Sequence, residues 1–352
     1  MHKTLFVGAV VALLLSLLTA LARAPTDDPI GAMIRPDVHD PAQLILHADH
    51  VLLYASAVEW WTYSLEANEW AFLGDDLYAR DGPRWDRGDR GFWAPSLQRT
   101  GEAQFRLYHA AVFDEANHGS RIGFAEGYGE KEDIEWDATP HPVIQSDGLG
   151  QPFAIDPAVF TDDDGRSWLV FGSHAEGIWM AQLDPDRGYL ARRPRDISWS
   201  PDDDRFRHLA NYGGSRYDEN TIEAAYVYNH PETDWYYLFV NWGRCCLGHR
   251  STYHIRVGRA RTPTGPYRDR DGVPLSEGGG SLFLDEDGQI LGDPRFIGPG
   301  HAGVYRHRNG PYYVTHHFYD GRHGGRPSWA MWKLNWIDGW PVVDLGHTVR
   351  LR

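Results

Sequence analysis

Hydrophobic positions along this chain fall in short runs bounded by Gly, Asp and Pro, alternating or continuous, and no long stretch follows a helical period. Runs of that kind predict strands. Five times a short motif leads into such a run: Val38-His39-Asp40-Pro41, Phe92-Trp93-Ala94-Pro95, Ile155-Asp156-Pro157, Thr221-Ile222-Glu223-Ala224 and Gly298-Pro299-Gly300-His301. The third copy shows the unit most clearly, as Ala158-Val159-Phe160, the turn Asp162-Asp163-Asp164-Gly165, then Trp168-Leu169-Val170-Phe171. In the fourth and fifth the aromatic second strand is marked by Trp235, Tyr236 and Tyr237 and by Tyr312 and Tyr313. Repeats of roughly 50 to 80 residues, each holding several short strands, belong to propeller architectures. The expectation is an all-β, five-bladed β-propeller.

The blades are expected over 37–74, 91–136, 153–190, 220–261 and 296–343. Two segments fall outside the pattern, 196–218 and 262–292, and both read as long loops, which on a rigid scaffold often carry function. Ahead of the blades, Lys3 precedes an almost wholly apolar run over 5–18, and the small residues Ala20, Ala22 and Ala24 suit leader cleavage. The chain therefore divides into a signal peptide, 1–22 (or cleavage after residue 24), a polar linker, 23–36, and one propeller domain, 37–352. The apolar run is short for a membrane span. The protein is expected to be secreted or periplasmic, with no membrane attachment once the leader is gone.

Charge narrows the partners. With 34 Lys and Arg against 49 Asp and Glu, the formal charge of −15 argues against nucleic acid or an anionic membrane and suits a neutral or cationic ligand. Fifteen Trp, eighteen Tyr and fourteen Phe are many for one domain; blade packing is the reading for most of them, and the rest suit a sugar site, since flat aromatic faces stack on sugar rings. The two cysteines, Cys245 and Cys246, are neighbours. Cα atoms across a trans peptide lie about 3.8 Å apart, below the usual disulfide range, so two free thiols are the slightly favoured expectation.

In a propeller the innermost strand of every blade points its first residues at one central pocket. Asp40, Asp156, Glu223 and His301 are then expected to meet there, although Asp-Pro by itself is only a turn motif. Converging buried acids push one another's pKa values apart, which is how a base and an acid arise from similar side chains. Two carboxyl groups flanking a glycosidic bond suffice for its hydrolysis, and a third can tune the acid. No zinc-type ligand spacing and no Gly-x-Ser-x-Gly elbow is present. His301 reads equally as a core histidine or as a metal ligand, in oxygen-rich surroundings that suit calcium. Arg322-His323-Gly324-Gly325 and His316-His317 read as ligand contacts or as surface loop.

Taken in order, the three acidic motifs resemble those of glycoside hydrolase family 43, five-bladed propeller enzymes, and most of all its arabinanases. Cys245-Cys246-Leu247-Gly248, Ser251-Thr252-Tyr253, Val257-Gly258-Arg259, Gly265-Pro266-Tyr267 and the terminal Asp338-Gly339-Trp340-Pro341 extend the likeness over nearly all of the chain after the leader. The resemblance implies Asp40 as general base, Glu223 as general acid and Asp156 as the residue that tunes and orients the acid. It implies His301 near a structural or electrostatic calcium, and His39, Trp93, Asn117, Phe153, Ser173 and Arg244 against substrate. It further implies inverting, endo-type cleavage of α-1,5-linked arabinan or arabino-oligosaccharide by a monomer. The family uses one catalytic set for several sugars, so an exo-acting arabinofuranosidase, β-xylosidase or galactosidase is the second expectation. A sugar-binding propeller without catalysis is the third. Phe153 stands where an Asn is usual, Ala225 where Pro is usual, and Ser96 where an acidic residue is common.

Overall fold

The computed structural model describes residues 34–345 except 57–58, 68, 75–84, 86–91, 131–132, 213–220 and 309. The expected leader, 1–22, and linker residues 23–33 lie outside the described residues. The described strands form five antiparallel sheets, which are the five blades of the propeller. Blade one holds Ile45–His47, His50–Tyr54, Trp60–Ser64 and Glu69–Gly74, and blade two is built on Phe92–Gly101, Gln104–Asp114 and Gly119–Tyr128. Blade three begins at Ala158–Thr161, blade four at Ile222–Asn229 and blade five at Phe296–Arg306.

Four segments depart from the expected layout, one being Ile144–Ser146, which lies beyond the expected end of blade two and pairs with Gly119–Tyr128. Ile34–Pro36, at the end of the expected linker, is a strand that pairs antiparallel with Ser328 to Ala330 and so ties the chain's start to blade five. The two expected loops each supply an outer strand: Phe206–Ala210 completes blade three and Ser281–Leu284 completes blade four. In the first of them Arg205 is buried and held by Asp196 and Asp203, which fastens this charged stretch to the blade's outer edge. Residues 213–218 of that loop lie outside the described residues.

The core consists of five apolar clusters, each shared by two neighbouring blades. Side chains alternate faces along a strand. Leu169 and Phe171 therefore pack toward blade two, while Val170 packs toward blade four. A blade buried on both faces needs apolar residues at consecutive positions, which accounts for Tyr236–Trp242 being buried throughout. The paired outer polar face of a lone sheet is missing because each blade is sandwiched by its neighbours.

One backbone device recurs at the head of all five inner strands. Asp40, Ala94, Asp156, Ala224 and His301 have φ of 45°, 47°, 54°, 50° and 58°. Left-handed conformation costs a non-glycine residue roughly 1–2 kcal/mol. In blades two, four and five the strand register slips at this point, so the residue sits in a bulge that turns the chain toward the axis. In four of the five its amide donates to a side chain of an adjacent blade, which offsets part of that cost. Asp40 N reaches His317 Nδ1 at 3.1 Å, and Ala94 N reaches Ser56 Oγ, Ala224 N reaches Asp156 Oδ2 and His301 N reaches Asn241 Oδ1, each at 3.0 Å.

Candidate active site

The repeated bulge places the acids. Asp40 and Asp156 occupy the left-handed position itself, each followed by Pro. Glu223 does not: it stands one residue earlier, beside left-handed Ala224, in register with His39 and Trp93 of blades one and two. All three acids thus stand at the inner-strand heads of their blades, with Glu223 offset by one residue. Glutamate carries one more methylene than aspartate and reaches the axis from the neighbouring position. Glu223 Oε2 accepts from Ser173 Oγ at 2.7 Å, while Asp156 Oδ2 accepts from the Ala224 amide, so Asp156 touches the backbone that carries Glu223.

Asp40 is the acid surrounded by donors. Its Oδ1 lies 2.8 Å from His39 Nδ1 and 3.5 Å from both His301 Nδ1 and His317 Nδ1. Ser56 Oγ donates to Oδ2 at 2.7 Å. Burial alone would raise this carboxyl, but His39 and His301 outweigh it and hold Asp40 well below the usual carboxylate range. The imidazoles respond in kind. Burial lowers His39 and His301, yet Asp40 leaves each above its ordinary value. His317, wholly buried, is driven well below its ordinary value by burial and by the charge of His39. It is therefore neutral, which suits its acceptance of the Asp40 amide.

Asp156 is the opposite case. Burial, then repulsion from Glu223, pushes its carboxyl up to about 7. Asp156 therefore holds its proton to a far higher pH than an ordinary carboxyl does. One carboxyl held low and a neighbouring one held high are the unequal environments that acid–base hydrolysis needs.

Around this centre Tyr253 stacks on His317, with centroids 5.8 Å apart and planes 8° from parallel. A Cβ on Gly300 would lie 2.1 Å from the Tyr253 ring, so only glycine fits before His301. Asn241 fixes that segment by donating to Pro299 O at 3.1 Å while accepting from His301 N.

The remaining expected contacts scatter. Ser173, fully buried, belongs to the centre through Glu223, and His39 belongs to it through Asp40. Trp93 is half-buried and packs on the cluster between blades two and three. Phe153 is buried in a stack with His118, centroids 4.8 Å apart, and His174, 6.0 Å. Asn117 is exposed and its amide group donates to Asp114 Oδ2 at 2.8 Å. Arg244 is exposed in the turn before the cysteines, its amide donating to Thr252 Oγ1 at 3.1 Å.

Sequence reasoning passed over Ser56, Asn241 and Tyr319, and left His317 as an alternative surface residue, although it is buried at the centre. Arg322 and His323 form the turn around Asp320: the Arg322 amide donates to Asp320 Oδ1 at 2.9 Å and His323 Nδ1 lies 2.7 Å from Oδ2. Cys245 and Cys246 are joined by a disulfide, against the expectation of free thiols.

His39, Asp40 and His317 bring possible metal-ligating atoms within 4.8 Å of one another. Chemistry limits what they can hold. His317 Nδ1 and Asp40 Oδ1 already serve as acceptors. Calcium takes six to eight oxygens. His301 Nδ1 faces Asp40, so Nε2 is the nitrogen by which His301 would hold an ion.

The model of glycosyl hydrolases family 43 matches residues 33–341. An extracellular exo-α-(1→5)-L-arabinofuranosidase of Cellvibrio japonicus is 29% identical over 339 residues, spanning 94% of this chain and 92% of the relative. An extracellular endo-α-(1→5)-L-arabinanase of Bacillus subtilis is 32% identical over 255 residues, 71% of this chain and 68% of the relative. Among solved structures, the Cellvibrio cellulosa α-L-arabinanase complexed with arabinohexaose superposes with a TM-score of 0.74 at 26% identity, covering 88% of this chain and 96% of the other.

Proposed function

The chain belongs to glycosyl hydrolases family 43, and from that premise we propose that it is an exported hydrolase of α-1,5-linked arabinan, cutting within the polymer with inversion at the anomeric carbon. The observation that carries this reading is the unequal environment of the three acids. Asp40, surrounded by donors and held well below the usual carboxylate range, is the general base that accepts a proton from the attacking water. Glu223 is the general acid that donates a proton to the departing glycosidic oxygen. Asp156, whose own carboxyl is raised by burial and by Glu223, orients that acid through the Ala224 amide. Water adds to the anomeric carbon as the glycosidic bond breaks; one proton enters at Asp40 and one leaves Glu223. Bulk solvent then resets both groups. A binding protein would gain nothing from holding two carboxyls in opposite protonation states at the cost of burial.

Calcium at His301 Nε2 remains part of the proposal. It would add positive charge at the pocket floor, while the proton transfers stay with Asp40 and Glu223. Export rests on the apolar leader and on the extracellular relatives.

Endo action is favoured because Phe206–Ala210 and the Arg205 ion pairs hold most of the charged 196–218 stretch at the outer edge of blade three. Exo action is the second reading, favoured by the exo-acting name of the Cellvibrio japonicus relative. The product profile separates them. On debranched arabinan, viscosity should fall before much reducing sugar appears, with xylan and galactan untouched. Arabinose, or one fixed short oligomer, as the sole early product would establish the exo reading instead.

A further inference from the structure

The acid–base account leaves one cluster beside Asp40 unused. Tyr319 is buried on the central strand of blade five, and its hydroxyl oxygen lies 2.8 Å from His39 Nε2. The same oxygen accepts the Cys246 amide at 2.6 Å. His39 in turn holds Asp40 Oδ1 through Nδ1 at 2.8 Å and is stacked on His317 with centroids 4.1 Å apart. One chain of contacts therefore runs from the Cys245–Cys246 turn through Tyr319 and His39 to Asp40, joining residues that lie more than two hundred positions apart in sequence.

We propose that Tyr319 is a positioning residue for Asp40, acting through His39, and that the disulfide-closed Cys245–Cys246 turn anchors this relay. The proposal rests on the reading of Asp40 as the general base. The physical case has three parts. His39 has two ring nitrogens, and stacking on His317 sets its plane while leaving rotation within that plane open. The Tyr319 hydroxyl removes that freedom by engaging Nε2, which fixes where Nδ1 points and hence how Oδ1 of Asp40 is held. The hydroxyl itself is placed by the Cys246 amide, whose residue adopts φ of 65° in the turn closed by the disulfide. Opening the disulfide releases that turn and loosens the outer end of the relay. Cys246 is exposed, so a small dithiol can reach it. In thiol–disulfide exchange the dithiol is oxidised to its own disulfide as Cys245 and Cys246 become two thiols, with two electrons and two protons transferred.

The test compares kcat and KM on debranched arabinan for the wild type and Tyr319→Phe, each oxidised and each treated with dithiothreitol. A misplaced catalytic group costs rate more than binding, so Tyr319→Phe should lose about 10- to 100-fold in kcat with KM within about twofold. Reduction of the wild type should lower kcat in the same sense, and reoxidation should restore it. Reduced Tyr319→Phe should be no slower than oxidised Tyr319→Phe, because the relay is already cut. Circular dichroism and melting temperature confirm that the isosteric substitution and the reduced form stay folded. Wild-type kcat in Tyr319→Phe overturns the proposal. So does an equal drop on reducing both proteins, which would mean that the disulfide acts through another route, such as the 3.9 Å contact of Cys246 Sγ with His39 Nε2. If Asp40→Ala stays active, the base assignment fails instead, and that outcome is independent of the Tyr319 result.

Discussion

The Ala224 amide donates to Asp156 Oδ2 at 3.0 Å, so the carboxyl of blade three is tied to the residue that follows Glu223 in blade four. Ala224 is left-handed and Glu223 precedes it directly. The acid pair is thus held by a backbone device that all five blades share, and in this blade the device has a carboxylate as its acceptor.

Asp156→Asn should separate activity from stability. Its carboxyl is raised to about 7, so between the unfolded value near pH 4 and pH 7 the folded protein binds more protons than the unfolded chain. Stability must then fall as pH rises through this range. Removing the charge should raise the melting temperature at pH 8 relative to wild type and leave it little changed at pH 4, while kcat drops. Thermal scans at the two pH values check the sign.

Ser56→Ala removes a hydroxyl that donates to Asp40 Oδ2 and accepts the Ala94 amide. Both the base and the bulge of blade two lose a partner. A hydrogen bond to a charged group contributes about 1.5–3 kcal/mol, so kcat should fall roughly 10-fold or more. Steady-state kinetics with a parallel melting curve distinguish misplacement of the base from general loosening of the fold.

Asp320 is a structural acid at the end of blade five. Its side chain is 3% exposed, pairs with Arg295 at 2.7 Å and is pulled down to about 2: burial opposes ionisation, but the bonds from Arg295, His323 and the Arg322 amide outweigh it. A lowered carboxyl adds stability above the unfolded value near 4, lost as pH falls toward 2. Asp320→Asn should lower the melting temperature at pH 7, and the difference should vanish near pH 2.

If calcium sits at His301, exhaustive chelation should lower the melting temperature or the activity and added calcium should restore it, since a ligand of the folded state stabilises it by mass action. His301→Ala should abolish the response. An unchanged enzyme after verified metal removal leaves His301 as a partner of Asp40 alone.

What was legible in the sequence follows from what is local. Asp40-Pro41 and Asp156-Pro157 announce a turn into a strand, and the fold makes that turn at both. The apolar runs of the inner and second strands are legible because both faces of each blade are buried. The outer strands Phe206–Ala210 and Ser281–Leu284 were hidden, since one is interrupted by Arg207 and His208 and each follows a turn-rich connection. Ile34–Pro36 becomes a strand only by pairing with residues almost three hundred positions away. Ser56 and Tyr319 carry no motif of their own: Ser56 meets Asp40 only when blade one folds, and Tyr319 meets His39 only across the junction of blades five and one. Glu223 was legible as the acid at the head of blade four, and only its one-residue offset from the left-handed position, held by Ala224, was hidden.

The central claim is that Asp40 acts as the general base. The most direct test is the turnover of folded Asp40→Ala on debranched arabinan. Loss of a general base typically removes about 10² to 10⁴ in rate, so kcat should fall by at least that factor while circular dichroism and the melting curve still show a folded propeller. Turnover equal to that of the wild type would contradict the assignment and, with it, the division of labour among Asp40, Asp156 and Glu223.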